Sequence, residues 1–368
     1  MTIEHKLRIL SLCSVQANGG VYAIRQFAPL EELKKQGLIE VEHYGYNEGQ
    51  KHVDPPNEEY FAKYKDWADI VYSSREDTPQ YTAMLGGVAK WYGVPAMVDY
   101  DDNVHAVRPW NPGYASFHPN SPHKIWNIKL VQEAKFLTVS TNNLKKIYSK
   151  YCNNIYLCEN SIDFEIRDKI LDTPPEVPKK DNEIRIGWAG SSAHWENLKI
   201  IEKDVYKILD KYPQTTFHYT GLFGDLFKDA KYGDRIQPVK FADIGDWPKK
   251  LKAMGLDIAL APLADNEFNR AKSNLRILEY AACKFPTIAS PVEPYRDYIK
   301  PNNGDIAILC NNDEWFDKIS FLIDNPQRRV LIGELGYKYC KENYNIKQKS
   351  LMWFDAFKTA IKKYKRSL

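Results

Sequence analysis

Short runs of β-branched and aliphatic residues recur along this chain, most followed by stretches whose apolar residues return every three or four positions. "RILSLCSV" (8–15), "IEVEHYGY" (39–46), "DIVYSS" (69–74), "PAMVDYDD" (95–102), "FLTVS" (136–140) and "NIYLCEN" (154–160) form a first series. "IRIGWAG" (184–190), "TTFHYT" (215–220), "IQPVKF" (236–241), "LDIALAPL" (256–263), "FPTIAS" (285–290) and "DIAILC" (305–310) form a second. Parallel neighbours need a crossover, usually helical, so the alternation predicts parallel sheets with helices on both faces. Between the series, "RDKILDTPPEVPKKDNE" (167–183) carries three prolines and many charges, the composition of a linker or exposed loop. The expected fold class is therefore α/β, with two Rossmann-like, doubly wound domains facing a central cleft. At 368 residues the chain is long for one core and comfortable for two.

Bulk properties exclude several classes. Charged residues make up 27% of the chain, and no apolar run approaches the roughly 18 residues of a membrane-spanning helix. The start, "MTIEHKLRILSLCSV", enters an apolar strand directly and lacks a signal-peptide layout. Six scattered cysteines (13, 152, 158, 283, 310, 340) show neither a CxxC pair nor zinc spacing and read as reduced, buried thiols. The expectation is a cytoplasmic protein, with the basic end "KTAIKKYKRSL" able to touch an anionic surface such as a membrane face. A net charge of +3 does not argue for nucleic acid by itself. Trp353, Phe357 and Ile361, at i, i+4 and i+8, predict one closing amphipathic helix.

Ligands of open α/β sheets sit beyond the C-terminal ends of the strands. One such end opens "FNRAKSNLRILEYAACKFPTIAS" (268–290). A helix packed on a sheet needs only an apolar stripe, yet this segment adds Asn269, Arg270, Lys272, Ser273, Asn274, Arg276 and Glu279. On a helix, Lys272 and Glu279 share a face about 10 Å apart with Arg276 between them; with Ser273 as N-cap, Lys272 stands just outside it. Positive charge and free amides near a helix start suit phosphate, and a carboxylate two turns on suits ribose hydroxyls. A plainer reading is an exposed face stitched by i, i+3 and i, i+4 pairs. Two more turns follow strands. In "IGWAGSSAHWENL" (186–198), Gly190 lets backbone pass close to a ligand, and Ser191, Ser192 and nearby amides can bind phosphate; alternatively Ser192 caps the helix. In "SVQANGGVYAIRQF" (14–27), Gly19 and Gly20 make an N–H-rich turn without the GxGxxG fingerprint.

These segments resemble GT-B glycosyltransferases, especially those grouped as family 4. Members share a lysine–serine pair, a glutamate on the following helix and a strand reading P-x-I-A-S. "TVSTNNLKKIYSKYCNNIYLCENSIDFE" (138–165) resembles the end of their N-terminal domain, and the last helix resembles the one that crosses back onto it. The resemblance implies an acceptor domain over 1–165, a nucleotide-sugar donor domain over 166–345 and a crossing helix over 346–368. It also implies that Lys272, with Arg270 or Arg276, neutralises the donor diphosphate and that Glu279 holds the ribose. Gly190, Ser191, Ser192 and His194 would line the phosphate pocket, Gly19 and Gly20 would close over it, and Phe268, Asn269, Ser273 and Asn274 would complete the donor set. Where the family often carries a glutamate, seven residues before Glu279, this chain has Lys272; Glu267 or the backbone around Phe268 and Asn269 takes that role.

The implied reaction is hexosyl or pentosyl transfer from a nucleotide-diphosphate sugar to a hydroxyl of a glycan or lipid-linked glycan, with retention. Fixed cations at the leaving diphosphate lower the barrier electrostatically, which assigns Lys272 and Arg276 to catalysis and lets the fold dispense with a metal. On the acceptor side, "VDYDDNVHAVRPWNPGYASFHP" (98–119) offers Asp101, Asp102 and His105 as catalytic candidates. Asp99, Asp101 and Asp102 can bind acceptor hydroxyls, steer a base or ligate a divalent metal, or Asp101 or Asp102 can cap the next helix or brace the loop; Trp110 and Tyr114 offer stacking faces. Three other readings stand beside this one: a phage-type enzyme acting on hydroxymethylated DNA bases, a non-catalytic two-domain binding protein, and a GT-B sugar epimerase.

Overall fold

A computed structural model of the chain describes residues 6–13, 20–44, 58–75, 79–221 and 223–368. Two six-stranded sheets are present, and every pairing in them is parallel. The first holds β1 (Leu7–Leu12), β2 (Ile39–Tyr44), β3 (Ile70–Ser74), β4 (Ala96–Tyr100), β5 (Lys135–Val139) and β6 (Ile155–Leu157), in the order β2-β1-β3-β4-β5-β6. The second holds β7 (Ile184–Trp188), β8 (Thr215–Thr220), β9 (Ile236–Val239), β10 (Ile258–Ala261), β11 (Thr287–Ala289) and β12 (Ile308–Leu309), in the order β12-β11-β10-β7-β8-β9. All twelve coincide with the expected segments, β1 and β5 each starting one residue earlier, at Leu7 and Lys135. Central strands β3, β4 and β10 are buried along their whole length, because helices cover both faces. Strand order reverses between β1 and β3 in one sheet and between β7 and β10 in the other. The loops after β7 and β10 therefore flank a switch point, the position where such sheets bind ligands.

The helix after β1 departs from regular α geometry. It begins at Gly20, passes through a π-helical stretch Ala23–Phe27 and continues as Ala28–Lys35. Consecutive polar residues, Arg25 and Gln26, are both buried here. Gln26 ties β1 to β3: its Nε2 donates to Ser11 Oγ (2.7 Å) and Leu12 O (2.8 Å), and its Oε1 accepts from Ser74 N (2.6 Å). Arg25 donates to both carboxylate oxygens of Asp99, from Nε (3.0 Å) and Nη2 (2.8 Å). Thr138 Oγ1 donates to Asp99 Oδ1 (2.6 Å), and Arg25 Nη1 donates to Cys158 O (2.5 Å).

The chain passes between the domains twice, side by side. Ile162 and Asn345 form a parallel bridge, with Ile162 N donating to Tyr344 O (2.8 Å) and Ile346 N to Ile162 O (2.9 Å). Trp353, Phe357 and Ile361 then bury against Ile9, Leu30, Tyr72 and Met97 of the first domain. The closing helix is interrupted at Ser350, giving Ile346–Lys349 and Leu351–Ser367 instead of one run. Ser350 is fully buried, and its Oγ turns back toward Lys347 O (3.5 Å). The 18-residue helix Pro326–Asn343 has no counterpart in the sequence reading. Its Gly333 and Gly336 lie so close to Lys284 O and Ile306 O that a Cβ would approach to 2.4 and 2.9 Å.

Removing Asp99 strands the Arg25 guanidinium without water or counter-charge. Asp99→Ala is expected to cost about 3–5 kcal/mol, read as a lowered denaturation midpoint. A loss within the roughly 0.5 kcal/mol typical of surface changes would show that the pair is not a keystone.

Candidate active site

The loop after β10 carries the short helix Glu267–Arg270, the turn 271–274 and the helix Leu275–Ala282. Asn266 caps the first helix through Asn269 N, and Asn274 is the N-cap of the second. Lys272 therefore stands in the turn, outside the helix, and does not share a helical face with Arg276 and Glu279 as the spacing suggested. It reaches across the cleft instead. Lys272 Nζ lies 3.0 Å from Asp102 Oδ1 of the first domain and 4.5 Å above the Phe268 ring. Asn103 Nδ2 donates to Glu267 Oε1 (3.4 Å) in the same zone.

Behind this turn the loops of the second domain pack tightly. The Arg276 guanidinium lies 4.6 Å over the Trp188 ring, with Nη2 3.2 Å from His194 Nε2. Gly190 serves this packing: a Cβ there would meet the guanidinium at 2.5 Å and Trp188 at 2.7 Å. Its amide donates to Thr220 Oγ1 (2.7 Å), so it is not the open phosphate donor expected from the sequence. Ser191 is exposed and is the N-cap of the 3₁₀ turn Ser192–His194. The helix Trp195–Lys211 has His194 as its N-cap, which corrects the alternative placing Ser192 there. Burial, then Arg276 and Lys272, hold the His194 pKa well below its ordinary value, so the ring is neutral at physiological pH.

Several predicted residues turn inward. Asn269 is buried, its Nδ2 donating to Asn197 Oδ1 (3.1 Å) and Ala264 O (2.9 Å), and Phe268 is buried beside it. Both brace the loop. Arg270 faces away, toward Asp265 (2.5 Å) and Glu293 (3.9 Å). Asp99 is consumed by Arg25 and Thr138, so it is not available to an acceptor or a cation. Among the described residues no group of three or more His, Cys, Asp or Glu side chains is placed to hold a metal ion. His105 rests between the Tyr148 and Tyr151 rings, with burial lowering its pKa to about 4. That suits a packed neutral ring better than the proton carrier suggested earlier.

Glu279 opens onto a cavity of about 600 Å³ between the domains. Its walls are largely apolar: Ala23, Ile24 and Phe27 on the first domain, Ile244, Trp247 and Leu275 on the second. Gly20 faces the same opening, where a Cβ would lie 3.5 Å from Ile244; Gly19 lies outside the described residues. Glu279 Oε1 accepts from Trp247 Nε1 (2.8 Å) and lies 3.8 Å from Arg167 Nη2. Phe241 stacks on Trp247 with ring centroids 4.6 Å apart and is more than half exposed. Sequence reasoning missed Arg25, Asn160 and Trp247. The first had a signal, a lone arginine inside the apolar run "VYAIRQFAPL".

Residues 207–353 match the family model described as "Glycosyl transferase-like". No curated protein matches the chain. Among solved structures, Anabaena HepE (Alr3699) in complex with UDP and glucose is similar at a TM-score of 0.63 and 12% identity, over 96% of this chain and 100% of that one. An E. coli structure described as trehalose-6-phosphate bound with UDP-2-fluoro glucose is similar at 0.59 and 13%, over 95% and 99%. TarM of S. aureus, in complex with UDP and alpha-GlcNAc-glycerol, is similar at 0.54 and 14%, over 78% of this chain and 55% of that one. At such identities a shared fold is what the likeness carries. With the family match centred on the second domain, the two-sheet architecture is that of the GT-B fold.

Asp101, just after β4, is a buried carboxylate with a displaced titration. Burial, then the charge of Asp102, push its pKa up to about 6, and its Oδ1 is buried without a hydrogen-bond partner among the described residues. The folded state then holds a proton that the unfolded chain, near 3.8, has released. Stability should therefore fall as pH rises through this interval. Asp101→Asn removes the penalty, so its melting temperature is expected to exceed that of the wild type at pH 8, with the gain shrinking toward pH 4. A gain independent of pH would contradict this origin.

Proposed function

We propose that the chain transfers a sugar from a UDP-type nucleotide sugar to a hydroxyl of a glycan or lipid-linked glycan, with retention at the anomeric carbon. One observation carries the reading: an apolar interdomain cavity with Glu279 on its wall, beside the start of the helix Leu275–Ala282, where Lys272 stands in the preceding turn and Arg276 in the first helical turn. An aromatic base fits apolar walls. Glu279 Oε1 already accepts from Trp247, which leaves Oε2 facing ribose hydroxyls. The diphosphate then lies against the helix start, where unpaired amides and cations attract it. The bound UDP and UDP-sugars of the neighbours support a uridine donor.

Charge development decides the roles. As the glycosyl–phosphate bond breaks, the leaving diphosphate gains negative charge, and Lys272 and Arg276 stabilise it; fixed groups in a closed cleft do this without reorganising. Retention needs no separate base, because the departing phosphate oxygen can accept the acceptor's proton. Asp102, released from Lys272 when the donor arrives, is free to meet an acceptor hydroxyl. Support for a modified DNA acceptor weakens on geometry. Lys363 near the basic end contacts Asn154, which precedes β6, so it sits at the sheet edge opposite the cleft.

Calorimetric titration of wild type, Lys272→Ala and Glu279→Gln with UDP, UDP-sugars and other nucleoside diphosphates checks the assignment. Wild type is expected to bind one nucleotide, and each variant to bind it roughly tenfold or more weakly, the loss typical of a charge-assisted hydrogen bond. Equal affinities in all three would remove both residues from the site.

A further inference from the structure

We infer that Asn160, on the acceptor-side domain, is a positioning residue that fixes the hydrogen-bond polarity of Ser273 and so makes it a proton donor toward the donor diphosphate. The inference rests on the donor reading above. It begins with a residue that has no choice: a guanidinium only donates. Arg25 Nη1 lies 2.9 Å from one end of the Asn160 amide, so that end must be the carbonyl oxygen. The other end, Nδ2, lies 2.7 Å from Ser273 Oγ, across the domain boundary. An amide nitrogen donates, so the serine oxygen accepts there. It also accepts from Leu275 N at 3.4 Å.

Both lone-pair directions of the Ser273 oxygen are thus taken, and its own proton has no acceptor among the described residues. Ser273 stands in the turn between Lys272 and the helix Leu275–Ala282. An anion seated there meets a cation and a hydroxyl that can only donate. Asp99 anchors the far end, holding Arg25 in a single orientation with both carboxylate oxygens. The polarity is therefore passed without ambiguity from β4 of the first domain to a turn of the second. Thr141 Oγ1, donating to Ala271 O at 2.9 Å, and Asn143 Nδ2, donating to Arg270 O at 2.7 Å, hold the same turn from the same side.

The near-isosteric Asn160→Asp reverses the signal. A carboxylate accepts from Arg25 and from Ser273 alike, so the serine proton points back and is lost to the phosphate. Asn160→Ala removes the amide without imposing an acceptor and leaves the serine proton free. UDP affinity, measured by calorimetry on the whole protein, should therefore fall roughly tenfold for Asn160→Asp and for Ser273→Ala, and less for Asn160→Ala. The double variant Asn160→Asp/Ser273→Ala should bind no more weakly than Ser273→Ala alone. A merely structural role predicts the opposite ranking, with alanine worse than aspartate, and additive losses in the double variant. Either result, or an unaltered Ser273→Ala, overturns the inference while leaving the donor site in place. Failure of the wild type to bind any nucleoside diphosphate removes the donor reading and this inference together.

Discussion

A guanidinium and a carboxylate taken out of water together, Arg25 and Asp99, organise the centre of this molecule. Their side chains are 1% and 0% exposed. Each charge is tolerable only because the other is present and the remaining hydrogen-bond capacity is met. That requirement recruits partners from everywhere nearby: Thr138 at the end of β5, the Cys158 carbonyl after β6, and Asn160 where the chain leaves the first domain. The Arg25 guanidinium also lies 4.7 Å over the Trp353 ring. One buried pair thus fixes the C-terminal edge of the first sheet, the exit of the chain and the seat of the closing helix. The π-helical stretch at Ala23–Phe27 supplies the geometry, because Arg25 and its neighbour Gln26 both point inward from it.

The cleft inherits its character from this framework. Cationic groups of the second domain are held in place within the protein: Lys272 by Asp102, Arg276 by Trp188 and His194. Keeping His194 neutral matters, since a protonated ring would repel the guanidinium it contacts. The acidic group on the cavity wall, Glu279, is oriented by Trp247 in the same way. Acid and cations stand apart, one toward the apolar cavity and the others toward the helix start and the acceptor side. An amphiphilic ligand with an anionic middle matches that layout.

The layers of this fold were legible in the sequence because burial on both faces leaves long aliphatic runs. "LDIALAPL" and "FPTIAS" could hardly be anything but central parallel strands. The helix Pro326–Asn343 escaped, since its buried face is Ile332, Gly333, Gly336 and Cys340, a thin apolar stripe of mostly small residues. The lysine, arginine and glutamate on one segment stood out by residue type, and the structure sets Lys272 across from Asp102 and Glu279 on the interdomain cavity. Spacing misled for Lys272, because the turn at Ser273 and Asn274 delays the helix. Three aspartates within four positions looked equivalent as letters. Their environments separate them completely: Asp99 is locked to Arg25, Asp101 is desolvated, and Asp102 is paired across the cleft. Long-range partners such as Asn160 with Ser273 leave no local trace in sequence at all.

The placement of Trp353 bears on how the molecule is made. Its indole N–H donates to Tyr72 Oη at 2.9 Å, a partner 281 positions earlier, and its ring helps fill the first domain's core. During translation the first six strands leave the ribosome well before that indole exists. The nascent N-terminal half must wait with an open seam until the intervening domain has been synthesised. Completion of the first domain is in this sense a late event, and agents that shield exposed apolar surface on newborn chains have a defined interval in which to act.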